Sequence, residues 1–361
     1  MKKAGIVGLP NSGKSTFFNA ITDQNVPAEE YPFCTIEPNN GVLTVVDERV
    51  NKLAQMEGSQ KIIYPFIQIV DIAGLVKGAS HGEGLGNQFL DHISKVDLIL
   101  HVVRCFKIDD VSHPMGDVDP ERDIEIVETE LILKDLETIE KRMAKISKQA
   151  KSGDIDSRNE LIFLQRLKEH LESGKLSVMF ERNESESKII DSLFLLTEKP
   201  VIYIANVDEW GIDRELNKKV ERVAKNKGFS FLAINARLEY ELRQMEKDEA
   251  KEFLEAYGFE KFIKERLFEE IKKSLRLICF LTATKNEARS WVVPENSSAY
   301  EAAGLIHTDI QKGFARAEVI SFNELINFSC MKEAKEAGAI KAHGKDYLIK
   351  EGDVVHFLFH S

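Results

Sequence analysis

Cysteine is scarce and scattered in this chain. The 361 residues hold four, Cys34, Cys105, Cys279 and Cys330, with no C-x-x-C pair among them. That spacing argues against a disulfide framework and a thiolate zinc site, and it fits a reducing cytoplasm, where we expect the protein to work. Long apolar runs are missing too. The strongest, Leu98 to Phe106, contains His101 and Arg104. It is far short of the ~20 residues a bilayer-crossing helix needs, so it reads as a buried strand and no membrane partner is expected. The opening residues Met1-Lys2-Lys3-Ala4-Gly5 lead straight into a strand and lack the apolar core of a signal peptide. Positive charge is in deficit, with 49 Lys and Arg against 60 Asp and Glu, a net charge of −11. Such a balance excludes a bulk nucleic-acid binder and leaves room only for a local basic patch. Internal repeats and low-complexity stretches are absent. What remains is the composition of a soluble globular protein, 43% hydrophobic and 30% charged, in a chain long enough for two or three domains.

Against that background, eight residues carry the most information. Gly8-Leu9-Pro10-Asn11-Ser12-Gly13-Lys14-Ser15 spells G-x-x-x-x-G-K-S, between an apolar stretch (Ala4 to Val7) and a helix-like run (Thr16 to Ile21). Strand, loop and helix in that order make a phosphate-binding loop. Its glycines let backbone N–H groups turn inward toward phosphate oxygens. Lys14 is placed to reach the β- and γ-phosphates, and the Ser15 hydroxyl to ligate Mg²⁺. The helix that follows offers its positive N-terminal end. The expected ligand is a nucleoside triphosphate held by Asn11, Ser12, Gly13, Lys14, Ser15 and Thr16.

Around this loop the chain changes texture twice. Residues 1–120 alternate short apolar strands with helix-like stretches, as in a parallel sheet covered on both faces. Strands are expected at Gly5–Gly8, Gly41–Val46, Tyr64–Val70 and Leu98–Val103, and the pattern returns at Pro200–Ala205 and Phe231–Ile234. Between these stretches, Ile132, Leu136, Ile139, Met143 and Ile146 are spaced 4, 3, 4, 3, a coiled-coil seam. After a turn at residues 151–157 comes a second stripe, Leu161, Leu164, Leu167 and Leu171. Together they predict an antiparallel helical hairpin. Its first helix ends in Lys141, Arg142, Lys145, Lys148 and Lys151, which make either a solvated face or a contact for RNA or another acidic partner. From about Arg276 a compact α+β module follows, with strands expected at Leu277–Ala283 and Asp353–Phe359.

A phosphate-binding loop alone does not separate kinases, motor ATPases and switch GTPases. Four further elements do. Thr35, in Tyr31-Pro32-Phe33-Cys34-Thr35-Ile36, lies where a switch threonine closes over Mg²⁺ and the γ-phosphate. Asp71-Ile72-Ala73-Gly74 follows an apolar strand, so that Asp71 would hold the Mg²⁺ and the Gly74 N–H would sense the γ-phosphate. Asn206-Val207-Asp208-Glu209 stands where GTPases carry N-K-x-D to read guanine. Here valine replaces the lysine and the longer Glu209 replaces the aspartate, which erodes the match to guanine N1–H and its 2-amino group. Asn235-Ala236-Arg237 is a weaker match to the fourth base-contacting loop.

These residues together resemble the Obg-like ATPase, or YchF, family of P-loop switch nucleotidases, nearly end to end. The most specific stretches are residues 8–16, 31–39, 71–90, 101–106 and 204–209, with 302–320 and 344–359 in the tail. The resemblance implies an α/β nucleotide-binding domain of the P-loop G type (1–121 and 198–276), an inserted helical coiled-coil hairpin (122–197) and a C-terminal TGS domain of α+β, ubiquitin-like fold (277–361). It implies an ATPase that prefers ATP to GTP and hydrolyses it slowly, tied to the ribosome and to translation or stress regulation. A ribosome-assembly GTPase and a nucleotide-gated adaptor without significant turnover stay open beside it. The family more often has valine at the position of Ser12. Leu75 stands where a Ras-like switch has its water-orienting glutamine. The resemblance implies two compensations: K⁺ coordinated through Asn11, and His113, in the loop after residues 101–106, as the group that positions the attacking water. RNA contact through the hairpin and the TGS domain is a further expectation.

Overall fold

The computed structural model describes residues 2–23, 39–72, 85–108, 112–208, 214–256 and 261–360. Apolar residues on both faces of successive short runs dictate its first half. The strands are β1 (Lys3–Val7), β2 (Asn40–Thr44), β3 (Lys61–Ile63), β4 (Phe66–Asp71), β5 (Leu98–Cys105), β6 (Val201–Val207) and β7 (Ser230–Ile234). Six of them form one sheet in the order β2-β4-β1-β5-β6-β7. Along β5, Leu98, Leu100 and Val102 face one core, while Ile99, Val103 and Cys105 face the other. Along β6, Ile202 and Ile204 oppose Val201, Tyr203 and Ala205 in the same way. A strand buried on both sides has to be apolar at every position, and a parallel sheet with helices on each face is where that happens.

The helices on one face are α1 (Lys14–Ile21), with Phe17, Phe18 and Ile21 inward, and the later Ile263–Ser274. On the other face lie α3 (Leu85–Ser94), the start of α4 (Pro120–Lys151) and the helix Arg214–Lys227. The expected parallel sheet has one exception. β2 runs antiparallel to β4, with Gly41 opposite Ile69. The strand expected at Tyr64–Val70 is β4, beginning at Phe66, and a further strand, β3, precedes it, with Pro65 unable to donate to a ladder between them.

The hairpin is present. α4 and α5 (Ile155–Glu172) are joined by a short turn in which Asp154 caps α5 by accepting the Ser157 N–H. Ile132, Ile139, Ile146, Leu164, Leu167 and Leu171 are buried between them, with Leu136, Met143 and Leu161 alongside. The hairpin is tied to the first sheet by polar groups. Asp135 of α4 accepts the Leu196 and Thr197 amides and the Thr197 hydroxyl, at 2.8, 2.8 and 2.7 Å. Glu128 accepts the Tyr203 hydroxyl at 2.5 Å and pairs with Lys227.

The second sheet has the order β11-β10-β12-β8-β9-β3, with β8 (Leu277–Ala283), β9 (Glu287–Pro294), β10 (Phe314–Ser321), β11 (Lys341–His343) and β12 (Asp353–Phe359). Its edge strand β3 comes from far upstream and pairs in parallel with β9, Ile62 opposite Ala288. Helix α2 (Glu48–Glu57) follows the same route. Its Val50, Leu53 and Ala54 are buried against Leu281, Ala288, Ile320 and Val354. The C-terminal module is thus completed by residues the sequence reading assigned to the nucleotide-binding part. No helix of the described residues is long and apolar enough to cross a membrane.

Candidate nucleotide site

The loop between β1 and α1 lies at the C-terminal end of the parallel strands, where ligands of open α/β sheets bind. Two glycines there have no substitute. A Cβ on Gly8 would stand 2.3 Å from the Val102 carbonyl oxygen, and one on Gly13 2.1 Å from Asn206 Nδ2. Gly13 also has φ 92°, outside the range of side-chain-bearing residues. Asn11 adopts φ 62°, a value asparagine tolerates better than most residues.

Lys14 is buried, and its Nζ donates to the Leu9 carbonyl at 2.8 Å, so the amine lies curled under its own loop. Burial lowers its pKa from 10.5 to about 8, against an opposing pull from the Asp71 carboxylate. Asp71 ends β4 opposite Ile6 of β1. Burial raises its pKa, and Lys14 draws it back down. Ser15 is exposed at the start of α1. A hydroxyl and a half-buried carboxylate on adjoining elements form a hard-oxygen donor set, and Asp71 has burial without full compensation. These residues fit Mg²⁺, and P-loop nucleotidases generally use it. The Ser12 hydroxyl is buried inside the loop with no hydrogen-bond partner, a polar atom free for a ligand.

Asn206, at the end of β6, connects the loop to the base side. Its Nδ2 donates to the Ser12 carbonyl at 3.0 Å, and its Oδ1 accepts the Ala236 N–H at 3.2 Å. Asn235 spends its carbonyl on capping the next helix through the Leu238 N–H, and its amide nitrogen is buried and unpartnered. A cavity of about 590 Å³ opens here, reaching from Asn11, Gly13 and Thr16 to Asn206, Val207 and Asp208. Its far wall is Asn235, Ala236 and Arg237. Phe106, Lys107 and Ile108 also line it, and the sequence reading did not assign them to the site. Of these, only Phe106 lies in the specific stretch 101–106, with the Arg104 guanidinium over its ring at 4.6 Å.

His113 is apart from this cavity, buried behind the loop. Its Nε2 is 2.8 Å from Asp123 Oδ2, and its Nδ1 accepts the Met115 N–H at 3.1 Å. Asn11 Nδ2 reaches the neighbouring Ser112 carbonyl at 3.1 Å. The structure therefore brings together Asn11, Ser12, Gly13, Lys14, Ser15, Thr16, Asp71, Asn206 and Val207. Thr35, Gly74 and Glu209 lie outside the described residues.

With this geometry in view, the comparisons decide the family. Residues 3–150 match the family described as 50S ribosome-binding GTPase, and residues 277–360 match the YchF-GTPase C-terminal family, described as a protein of unknown function. The Ribosome-binding ATPase YchF of Bacillus subtilis is 43% identical over 360 residues, 99% of this chain and 98% of that one. The chain belongs to the YchF family. The protein of the same name from Escherichia coli O157:H7 is also 43% identical, over 99% of both chains. The solved structure of the Schizosaccharomyces pombe YchF GTPase superposes with a TM-score of 0.85 at 34% identity, covering 99% of this chain and 97% of that one. The printed names of these relatives divide between ATPase and GTPase, so the base-reading residues matter.

Proposed function

We propose that this YchF-family protein is a slow, partner-regulated ATPase that acts at the ribosome in the cytoplasm. The observation that carries the reading is the loop itself. Lys14 is buried beside Asp71 under a glycine-defined turn, and Asn206 ties that turn to a cavity of about 590 Å³. In the proposed complex the loop amides from Asn11 to Thr16 grip the phosphates, and Lys14 leaves the Leu9 carbonyl for the terminal phosphate oxygens. Bound Mg²⁺ would neutralise charge developing on the phosphoryl oxygens, held by Ser15, Thr35 and Asp71. The Gly74 N–H would report the γ-phosphate. His113 would position the water, in place of the glutamine absent at Leu75. K⁺ would add charge beside Asn11, whose Nδ2 is engaged on Ser112.

Base choice follows from three positions. Val207 is buried in the cavity wall and offers no ammonium to pack along a purine. Glu209 is one methylene too long for guanine, and Asn206 is occupied with the loop. ATP is preferred because the usual reasons to prefer GTP are missing. The ribosome contact is assigned to the hairpin, where Lys141, Lys145, Lys148 and Lys151 are exposed in a chain of net charge −11, with the C-terminal module as a second docking surface. Calorimetric titration of ATP and GTP side by side, with Mg²⁺ and K⁺, tests the central point. Tighter binding of ATP is expected, and equal or tighter binding of GTP refutes it.

A further inference from the structure

Both ring nitrogens of His113 are already taken. Because Nδ1 accepts the Met115 N–H, the ring proton sits on Nε2 and is donated to Asp123. Such a ring has no lone pair left for a water, and its side chain is 2% exposed. Asp123 lies in the first turn of α4, the long helix of the hairpin. Its other oxygen, Oδ1, is gripped by Arg122, NH2 at 3.1 Å and Nε at 3.3 Å. Arg122 is in turn anchored on the side chain and carbonyl of Asp117. On the near side, the Ser112 carbonyl takes hydrogen bonds from Asn11 of the phosphate loop and from Arg104 of β5. The residue touching the phosphate loop, Ser112, is therefore the immediate chain neighbour of the residue held by the hairpin, His113.

We propose that Asp123 is a positioning residue for the hydrolysis step, a latch at the root of the hairpin that keeps His113 withdrawn until α4 shifts and frees Nε2. The inference rests on the assignment of His113 as the water-positioning group. It supplies what that assignment leaves open, namely why turnover is slow and how a partner on the hairpin raises it. A shift of the first turn of α4 lengthens the Nε2–Oδ2 contact, and a charge-assisted hydrogen bond weakens steeply with distance and angle. The released ring swings toward the loop through Ser112, which the phosphate loop itself holds.

The test is steady-state ATP turnover of the full chain with Mg²⁺ and K⁺, with and without purified ribosomes, for Asp123→Asn, Arg122→Ala, His113→Ala and Asp123→Asn/His113→Ala. Asparagine can still accept from Nε2 but without charge, so the latch is loosened and not removed. Asp123→Asn is expected to raise kcat without ribosomes by roughly five-fold, the worth of the charge assistance, with KM unchanged. It should also shrink the ribosome-stimulated increase by the same factor. Arg122→Ala removes the anchor that orients the carboxylate and leaves Oδ1, on a side chain 5% exposed, to find water, so it should move kcat the same way by less. The double variant should fall to the level of His113→Ala. A loss of packing alone would lower kcat or raise KM, and would not need His113. If His113→Ala lowers turnover but neither Asp123→Asn nor Arg122→Ala raises it, the latch is wrong and the histidine assignment stands. If His113→Ala leaves turnover intact, the histidine assignment fails and the latch falls with it.

Discussion

Burial gives Lys14 an unusual proton affinity, and nucleotide binding must change it. Burial under its own loop lowers the amine's pKa from 10.5 to about 8. At 1.36 kcal/mol per pKa unit, that difference is a cost of about 3 kcal/mol for the charged form. A triphosphate placed on Lys14 reverses the cost and returns its pKa above 10. Binding therefore takes up a proton wherever the empty site has lost it. At pH 7 the uptake is ~0.1 proton per site, and at pH 8.5 it is ~0.8. The terminal phosphate, with its last proton leaving near pH ~6, contributes nothing at the higher value. Affinity for Mg-ATP should fall above pH 8 with a slope approaching one decade per pH unit. The empty protein behaves in the opposite sense. Between pH 8 and 10.5 the unfolded chain holds the Lys14 proton and the folded one does not, so this residue adds stability as pH rises through that window. Calorimetry at pH 7 and 8.5, each in two buffers of different ionisation enthalpy, reads the uptake directly. Equal uptake at both pH values, with binding intact, would refute the argument from burial.

Three further outcomes follow from named contacts. Gly13→Ala drives a methyl to within 2.1 Å of the Asn206 amide and forces an unfavourable φ, so ATP affinity should fall at least ~100-fold by calorimetry while circular dichroism is unchanged. Val207→Lys combined with Glu209→Asp rebuilds the guanine-reading pattern, and should raise GTP affinity relative to ATP by about ten-fold or more in a competition titration. Asp135→Asn can keep an oxygen on the Thr197 amide and hydroxyl only by turning its NH₂ toward the Leu196 N–H. One buried donor then loses its acceptor, at about 1–3 kcal/mol, and faster amide hydrogen exchange at Leu196 should report it.

The first sheet and the hairpin were legible because their residues repeat a geometric rule. Strands buried on both faces must be apolar throughout, and the seam from Ile132 to Ile146 admits only a helix. The phosphate loop was legible because Gly8 and Gly13 stand where no Cβ fits. What the pattern did not carry was long-range pairing. Lys61-Ile62-Ile63 falls outside the strands expected from the sequence, and nothing local says that it will join β9 more than two hundred residues later. The role of Phe106 and Ile108 as cavity wall was hidden for the same reason, since a strand end looks alike whether it faces solvent or a ligand. His113 reads from the sequence only as a residue of the loop after 101–106, because nothing local reveals that Asp123, ten residues on, turns back to hold it.

The path of residues 40–71 joins these observations. β2 and β4 belong to the first sheet, and the chain between them leaves to lend α2 and β3 to the second. At the crossing, Asp47 caps α2 through the Arg49 amide and takes the Ser290 hydroxyl of β9, while Glu351 receives Arg49, Lys272 and the Cys279 amide. Burial works against the charge on Glu351, but these donors outweigh it and hold the carboxyl below its usual range. The two sheets therefore share covalent chain, an apolar core in which Leu277 and Cys279 pack with first-sheet residues, and an ion network, whereas a flexibly linked domain shares only chain. Stripping α2 from the C-terminal sheet would expose Val50 and Leu53 together with their partners, at roughly 1–3 kcal/mol for each large side chain. That cost is a large share of the ~5–15 kcal/mol by which a domain is stable. The strand that carries Asp71 is thus the direct continuation of an edge of the C-terminal sheet, with Tyr64 and Pro65 as the only residues between β3 and β4. A displacement of either sheet has to be absorbed within those two residues or passed to the other.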